Sequence, residues 1–119
     1  MNKYTELSDF EINLLVAQLI FSNDEYDAIK QSMEVVKFQN GSGKGVCYEF
    51  NPCNNPTDAM QIIIENLISL MADMSEDGGA TWWCASDISN GITSRYKSNP
   101  LRACMEVFLM MKDAENEKV

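Results

Sequence analysis

Four cysteines and a complete lack of histidine define what covalent or metal chemistry this chain of 119 residues can support. A cysteine nucleophile needs a base to form its thiolate, and imidazole is the usual base. A zinc site needs closely spaced ligand pairs such as C-x-x-C. Here Cys47 and Cys53 are six residues apart, and Cys84 and Cys104 are isolated. We therefore expect no catalytic residue, no bound metal and free thiols.

Two short segments resemble ligand-binding loops but lack essential positions. The glycine-rich segment 41–45 resembles the end of a phosphate loop. When the two are aligned, Phe38 stands where that loop has its first glycine, and Gly45 stands where it has the hydroxyl that binds magnesium. Residues 73–78 begin like a calcium loop, but the twelfth position is Cys84 rather than a bidentate glutamate. Both segments are therefore expected to be hairpin turns, and no cofactor is expected.

The charges are strongly asymmetric along the chain. There are 18 Asp and Glu against 9 Lys and Arg, a net charge of −9, which argues against direct binding of nucleic acid. No Lys or Arg occurs between Gly45 and Ser94, whereas Arg95, Lys97 and Arg102 follow closely. The acidic stretch is a solvated surface, a docking face for a basic partner, or an imitation of nucleic-acid phosphates. The cationic cluster, beside a predicted helix start, could also hold an anion.

Three helices are predicted because each of three segments starts with a capping signal. Ser8 and Glu11 form an S-x-x-E capping box, in which each side chain satisfies the other's backbone N–H. The other two starts are Asn-Pro pairs, with asparagine as the cap and proline at the first helical position. The predicted helices span about 9–21, 56–65 and 100–113, and a solvated tail follows.

Runs of β-branched and aromatic residues between these helices predict strands. They form two hairpins, 34–50 and 67–86, and 22–33 is expected to be an irregular acidic connection. The order is α-β-β-α-β-β-α. We predict an α+β fold, in which a small antiparallel sheet from two hairpins packs with about three helices. Residues 1–119 are expected to form a single domain.

The last helix has an unusually narrow polar stripe. From Leu101 to Met111 only Arg102 and Glu106 are polar, and they lie four residues apart on one face. Such a helix is buried on most sides. It is either a central helix of the protomer or a homodimer interface.

The homodimer would use Leu109, Met110 and Met111. If the polar stripe faces solvent, Glu106→Ala should lower the free energy of unfolding by less than about 1 kcal/mol. Phe108→Ala, in the apolar stripe, should cost about 3–5 kcal/mol.

The start of the chain is polar and soon acidic, unlike a signal peptide. The longest apolar run, 14–21, is far shorter than the roughly 18 residues that a membrane span needs. We expect a cytoplasmic protein that does not interact with membranes.

Three stretches, 7–13, 50–59 and 99–111, carry a family resemblance. They read Leu-Ser-Asp-Phe-Glu-Ile-Asn, Phe-Asn-Pro-Cys-Asn-Asn-Pro-Thr-Asp-Ala and Asn-Pro-Leu-Arg-Ala-Cys-Met-Glu-Val-Phe-Leu-Met-Met. In order and spacing they resemble the NinX family of small proteins carried by lambdoid phages and prophages. The resemblance implies an accessory phage protein in the cytoplasm of the bacterial host, and it implies no catalytic residue.

The leading hypothesis is a non-enzymatic accessory protein that binds a protein partner. Tryptophan, arginine and a polar loop are suitable interface residues; the candidates are Asn51, Asn54, Asn55, Trp82, Trp83 and Arg102. Neighbouring strand residues alternate, so one tryptophan is expected to face the core. The alternatives are an acidic decoy that occupies a DNA-binding protein and a small-ligand-binding domain.

Overall fold

The computed structural model describes residues 3–21, 28–30, 36–39, 47–94 and 97–117. Within these ranges the helices are α1 (Asp9–Ile20), α2 (Pro56–Glu65) and α3 (Pro100–Glu117). The strands are β1 (Ala28–Lys30), β2 (Val36–Gln39), β3 (Cys47–Phe50), β4 (Ser69–Met74) and β5 (Thr81–Ser86). The predicted α+β class is confirmed.

The helices start where the capping signals placed them. Ser8 Oγ accepts the Glu11 N–H at 3.1 Å, and Glu11 Oε1 accepts the Ser8 N–H at 3.0 Å, which completes the capping box of α1. Asn55 Oδ1 accepts the Thr57 N–H at the start of α2. Asn99 Oδ1 accepts two backbone N–H groups at the start of α3. In all three helices a side-chain oxygen thus satisfies N–H groups that have no partner within the helix.

The predicted end of α3 is wrong. The helix continues to Glu117, so residues 114–117 are helical rather than a solvated tail. Lys112 and Glu115 form an ion pair on the surface of this last part. The Tyr4 hydroxyl donates a hydrogen bond to Asp113 and ties the N-terminal segment to the same turns. The helix thus continues beyond its apolar pattern, although residues 115–117 stay exposed.

The predicted single sheet is also wrong, because the described strands form two sheets. One has the order β1-β2-β3, and the other consists of β4 and β5, all antiparallel. β1 lies inside the segment 22–33 that was predicted to be irregular; its strand structure comes from pairing with β2, as in Ala28↔Phe38. Residues 34, 35 and 46 of the predicted strands and the predicted glycine-rich tip 40–45 lie outside the described residues.

β4 and β5 form the second predicted hairpin, here named the β4–β5 hairpin. The ladder runs from Ser69↔Ser86 to Met74↔Thr81. Beyond it the Ser75 N–H donates to the Ala80 carbonyl at 2.9 Å. On its other side, β5 is joined to the loop that precedes α3. Among the described residues, β5 alone pairs with β4.

α3 is the central helix of the protomer, as one of the two interpretations predicted. Residues 102–109 of this helix are all buried, and the helix packs against α1, α2 and β5. Phe108 is 3% exposed and Leu109 is 2% exposed within one chain. Of the three residues proposed for a homodimer, only Met110 and Met111 are half-exposed. The homodimer through this helix stays a prediction.

α2 ends in a strained turn that leads directly into β4. The Ile68 N–H donates to the Ile63 carbonyl and the Leu67 N–H to the Ile64 carbonyl, the pattern of a Schellman motif. This motif places a residue in the left-handed region, usually glycine. Here it is Leu67, with φ 55° and a side chain that is 60% exposed. A leucine therefore takes a costly conformation without being buried.

We predict that Leu67→Gly raises the free energy of unfolding by about 0.5–1 kcal/mol, because glycine adopts a positive φ without steric cost. Urea denaturation measures the change. Leu67→Ala is the matched control: it removes the same side chain but keeps the strain, so it should not stabilise. A destabilised glycine variant would show that the leucine side chain itself supports the fold.

Candidate functional site

The structure separates the six residues chosen from the sequence into two groups. Asn51, Asn54, Asn55 and Arg102 lie where the three helices begin, and we call this group and its partners the helix-start network. Trp82 and Trp83 lie on β5 in the β4–β5 hairpin. The two groups therefore have to be assessed separately.

Side-chain amides connect the three helix starts. Asn51 Oδ1 accepts hydrogen bonds from Asn13 of α1 at 2.8 Å and from Asn54 at 3.1 Å. Asn99, the cap of α3, donates through its Nδ2 to the Cys53 carbonyl at 2.7 Å and to Asn54 Oδ1 at 3.2 Å. The asparagines that cap and connect the helices thus stabilise their mutual arrangement.

Asn13 is a member of the network that the sequence analysis missed. It is 4% exposed, and its Oδ1 accepts the backbone N–H of Cys53 at 3.1 Å. The available signal was its position three residues after Phe10 and four before Ala17, on the buried face of α1. A polar residue at such a position requires a buried hydrogen-bond partner.

Arg102 is buried rather than exposed, which corrects its expected place on the surface. Its Nη1 forms an ion pair with Asp9 Oδ1 at 2.7 Å, and its Nη2 donates to the carbonyls of Tyr4 and Leu7 at 2.9 and 2.6 Å. Its Nε donates to Glu106 Oε2 at 2.7 Å. Burial alone would lower the pKa of Arg102, but the hydrogen bonds to Asp9 and Glu106 raise it. The guanidinium joins the N-terminal segment, α1 and α3.

The predicted solvent exposure of the Arg102–Glu106 stripe is therefore wrong. The Glu106 side chain is 0% exposed, and Oε2 also forms an ion pair with Lys97 Nζ at 3.1 Å. The Lys97 side chain is only 15% exposed. One buried carboxylate thus lies between two cations, an arrangement in which each ion depends on the others for compensation. The expected low cost of Glu106→Ala has to be revised accordingly.

The two tryptophans lie on opposite faces of the β4–β5 hairpin, because neighbouring residues of a strand alternate. Both are half-buried. Trp83 is on the same face as Ala85, which is fully buried. The Trp83 N–H and carbonyl also bond to the backbone of Lys97 at 2.7 and 2.8 Å. Since Lys97 reaches Glu106, the hairpin is connected to the helix-start network.

β4 carries an exposed apolar surface that the sequence analysis did not select. All six of its residues are exposed, including Met71 at 51% and Met74 at 60%. A depression of about 440 Å³ near the hairpin turn is lined by residues of both strands, among them Met74, Trp82 and Trp83. The alternating pattern of a half-buried strand would have been the sequence signal for exposure, and Leu70-Met71-Ala72 does not show it.

Four acidic residues lie on and around this hairpin. The exposed Asp73 belongs to β4, the exposed Glu76 and Asp77 belong to its turn, and the half-buried Asp87 follows β5. Hydrogen bonds from the Gly79 N–H and the Ser75 hydroxyl lower the pKa of Asp77. The Ser89 hydroxyl and the Ile92 N–H lower the pKa of Asp87. These two carboxylates are therefore firmly anionic at neutral pH.

Two of the three described thiols are poorly suited to covalent chemistry. Cys53, Cys84 and Cys104 are free, and the side chain of Cys47 lies outside the described residues. Burial raises the pKa of Cys53 and of Cys104 to about 12. Both thiols are consequently protonated at neutral pH, and a protonated thiol is a weak nucleophile.

The part of the chain that the structure describes contains no group of three or more His, Cys, Asp or Glu side chains arranged to hold a metal ion. None of the helices in the same part of the chain combines the length and apolarity needed to cross a membrane.

We predict that Glu106→Ala lowers the free energy of unfolding by about 3–5 kcal/mol, because it leaves Arg102 and Lys97 with an uncompensated buried charge. The loss should equal that of Phe108→Ala, about 3–5 kcal/mol. Glu115→Ala, on the exposed surface of the same helix, is the control and should stay within about 0.5 kcal/mol of the wild type. Urea denaturation measures all three. A Glu106→Ala variant as stable as Glu115→Ala would contradict the buried network.

We also predict that Cys53 and Cys104 resist alkylation in the native protein at pH 8, because both are buried with a raised pKa. Labelling with iodoacetamide followed by peptide mass spectrometry should show both reacting at least about tenfold more slowly than the half-exposed Cys84. In urea the three rates should converge. Equal native rates would show that the surroundings of Cys53 and Cys104 open readily.

Comparison with known proteins identifies one family. A family model described as "Bacteriophage P22, NinX" matches residues 3–112. Curated proteins and solved structures show no match to the chain. The matched range contains the whole helix-start network and the whole β4–β5 hairpin, as well as the three stretches that carry the resemblance. The chain therefore belongs to the phage NinX family.

Proposed function

We propose that this phage protein is a non-enzymatic accessory protein that acts in the cytoplasm of the bacterial host by binding a protein partner through the β4–β5 hairpin. The observation that carries the proposal is the exposure of all six residues of β4, with Met71 and Met74 more than half exposed. Exposed apolar patches with a polar rim are typical of protein interaction sites. Methionine suits such a surface because its side chain adapts to irregular shapes.

The absence of an enzymatic role is part of the proposal and is supported by the way the polar groups are used. The helix-start network directs its amides and the Arg102 guanidinium toward other groups of the chain. The two buried thiols are held protonated. These groups serve the fold, whereas strand β4 of the β4–β5 hairpin leaves its side chains in solvent. Asn54 and Asn55 are exposed and stay secondary candidates for a contact with the partner.

The acidic decoy remains the second hypothesis, because Asp73, Glu76 and Asp77 are exposed near one another in sequence. A mimic of nucleic acid needs carboxylates in place of phosphates along its contact surface. On this hairpin they alternate with apolar side chains such as Met71 and Met74. A partner protein whose surface combines apolar and basic groups fits this mixture better than a surface made to bind nucleic acid.

Affinity capture from nuclease-treated lysate of phage-carrying host cells tests the proposal. We expect the wild type to retain a partner that Met71→Lys loses by at least about tenfold, because a lysine on the face of Asp73 removes an exposed apolar group and repels a partner that carries basic groups. Met60→Lys is the matched control: Met60 is 44% exposed on α2, against 51% for Met71. It should retain the partner. Circular dichroism and thermal melting should show both variants folded.

Failure to enrich any protein over an unrelated acidic protein would overturn the proposed function, and so would equal recovery by the Met71 and Met60 variants. Displacement of the partner by added duplex DNA would replace the proposal with the acidic decoy, since DNA would then compete for the same surface.

A further inference from the structure

One edge of the β4 backbone is bonded to β5, and the other edge has no partner strand among the described residues. The alternation of hydrogen bonds along the strand identifies the backbone groups on each edge. The N–H of Ser75, the residue after β4, donates a hydrogen bond to the carbonyl of Ala80, the residue before β5. The direction of the backbone N–H and carbonyl groups alternates from residue to residue along an antiparallel strand. Those of Met71 and Asp73 therefore also point toward β5. Leu70, Ala72 and Met74 therefore point their N–H and carbonyl groups outward. We call these outward groups the β4 edge.

Hydrogen bonds on the opposite side of the hairpin confirm this alternation. Trp83 is paired with Ala72, and it bonds outward to Lys97 at 2.7 Å. Ala85 is paired with Leu70, and its carbonyl accepts the Ser94 N–H at 2.9 Å. In a non-hydrogen-bonded pair both residues direct their backbone groups away from each other. The outward edge of β5 is covered, whereas none of the residues that the structure describes pairs with the outward edge of β4.

Little protects the β4 edge. The Met74 N–H is satisfied by the side chain of Asp73 at 2.8 Å, but no described residue bonds to the outward N–H groups of Leu70 and Ala72. Proteins normally protect edge strands with proline, lysine, bulges or a covering loop. β4 contains neither proline nor lysine, and its register with β5 is uninterrupted. Asp73 is its one charged residue.

Charge indicates what could occupy this edge. Between Gly45 and Ser94 the chain has seven carboxylates and no Lys or Arg. Three of the carboxylates, Asp73, Glu76 and Asp77, belong to β4 and its turn. A second copy of the chain would bring the same charges to the interface and be repelled. A cationic segment would instead be attracted, since complementary potentials favour both encounter and correct pairing.

We propose that the β4 edge binds an extended, cationic segment of a partner protein, which adds as a third strand to the β4–β5 sheet. This inference rests on the proposed function and names the partner's chemistry and its mode of binding. Backbone bonds to Leu70 and Ala72 fix the segment. Its apolar side chains lie on the face of Leu70 and Met74. Its Lys or Arg side chains lie on the opposite face, near Asp73.

Amide hydrogen exchange on the full-length protein tests this mode of binding. The probe is a synthetic ten-residue peptide of alternating lysine and valine. Binding should slow exchange at Leu70 and Ala72 at least tenfold and leave Met71 and Asp73 unchanged, because those two already bond to β5. A peptide with glutamate in place of lysine should not protect. Protection of all four amides alike, or of none, would overturn strand addition.

A proline substitution separates the edge from the fold. Ala72→Pro removes an outward N–H without removing a bond to β5, so the variant should fold and lose peptide binding by at least tenfold. Ala72→Thr is the matched control and should bind like the wild type. Asp73→Asn should weaken binding of the lysine-valine peptide about twofold to fivefold at low salt. Undiminished binding by a folded Ala72→Pro variant would overturn the inference.

Two further outcomes distinguish this inference from the proposed function. If the captured partner of the wild type is lost from Met71→Lys but kept by Ala72→Pro, the hairpin binds a partner without strand addition, and this inference alone fails. If protection of Leu70 and Ala72 appears without peptide and increases with protein concentration, a second copy occupies the edge. Sedimentation velocity would then show a dimer, and the cationic segment would be excluded as the natural occupant.

Discussion

The contact on which the rest of this structure depends is the ion pair between Arg102 and Glu106 inside α3. Glu106 has no exposed surface, so its charge requires the Arg102 and Lys97 cations beside it. Arg102 in turn holds Asp9 and two carbonyls of the N-terminal segment. A buried ion pair is rarely a large source of stability, but it is strongly selective for geometry. Here it determines how the N-terminal segment, α1 and α3 meet.

The asparagine caps connect α2 to this arrangement. A capping asparagine uses its carbonyl oxygen for backbone N–H groups and keeps its amide N–H₂ free to donate elsewhere. Asn99 uses both halves: it caps α3 and donates to the Cys53 carbonyl in the turn before α2. The residues that start the helices are thus the residues that orient them, and local and tertiary requirements agree.

The β4–β5 hairpin has the opposite character. It is held to the core through β5, which bonds to Lys97 and Ser94 and packs on α3, while β4 exposes all of its residues. Leu67, at the entry to β4, keeps a positive φ and an exposed side chain. Backbone strain of this kind clusters at functional segments of proteins, which supports the role proposed for the hairpin. The polar network connects the helix starts, and β4 is the exposed strand of the hairpin.

The sequence by itself determined what depends on neighbours along the chain. The capping box at Ser8, the Asn-Pro starts and the β4–β5 turn are local signals, because each is satisfied within a few residues. The family was also readable, from motifs that turn out to form the helix-start network. Strand β1 and the separation into two sheets depend on pairing between distant segments, and local propensity could not predict them.

Tertiary structure decided the placement of the polar stripe and of the exposed apolar strand. Arg102 and Glu106 on a helix surface read as a solvated i, i+4 pair, and only the arrival of Asp9 and Lys97 from elsewhere in the chain buries them. The exposure of Leu70 and Met71 could not be predicted, because hydrophobicity along the chain does not show what lies opposite a strand. In this protein nothing described covers β4, and that depends on the arrangement of the whole chain.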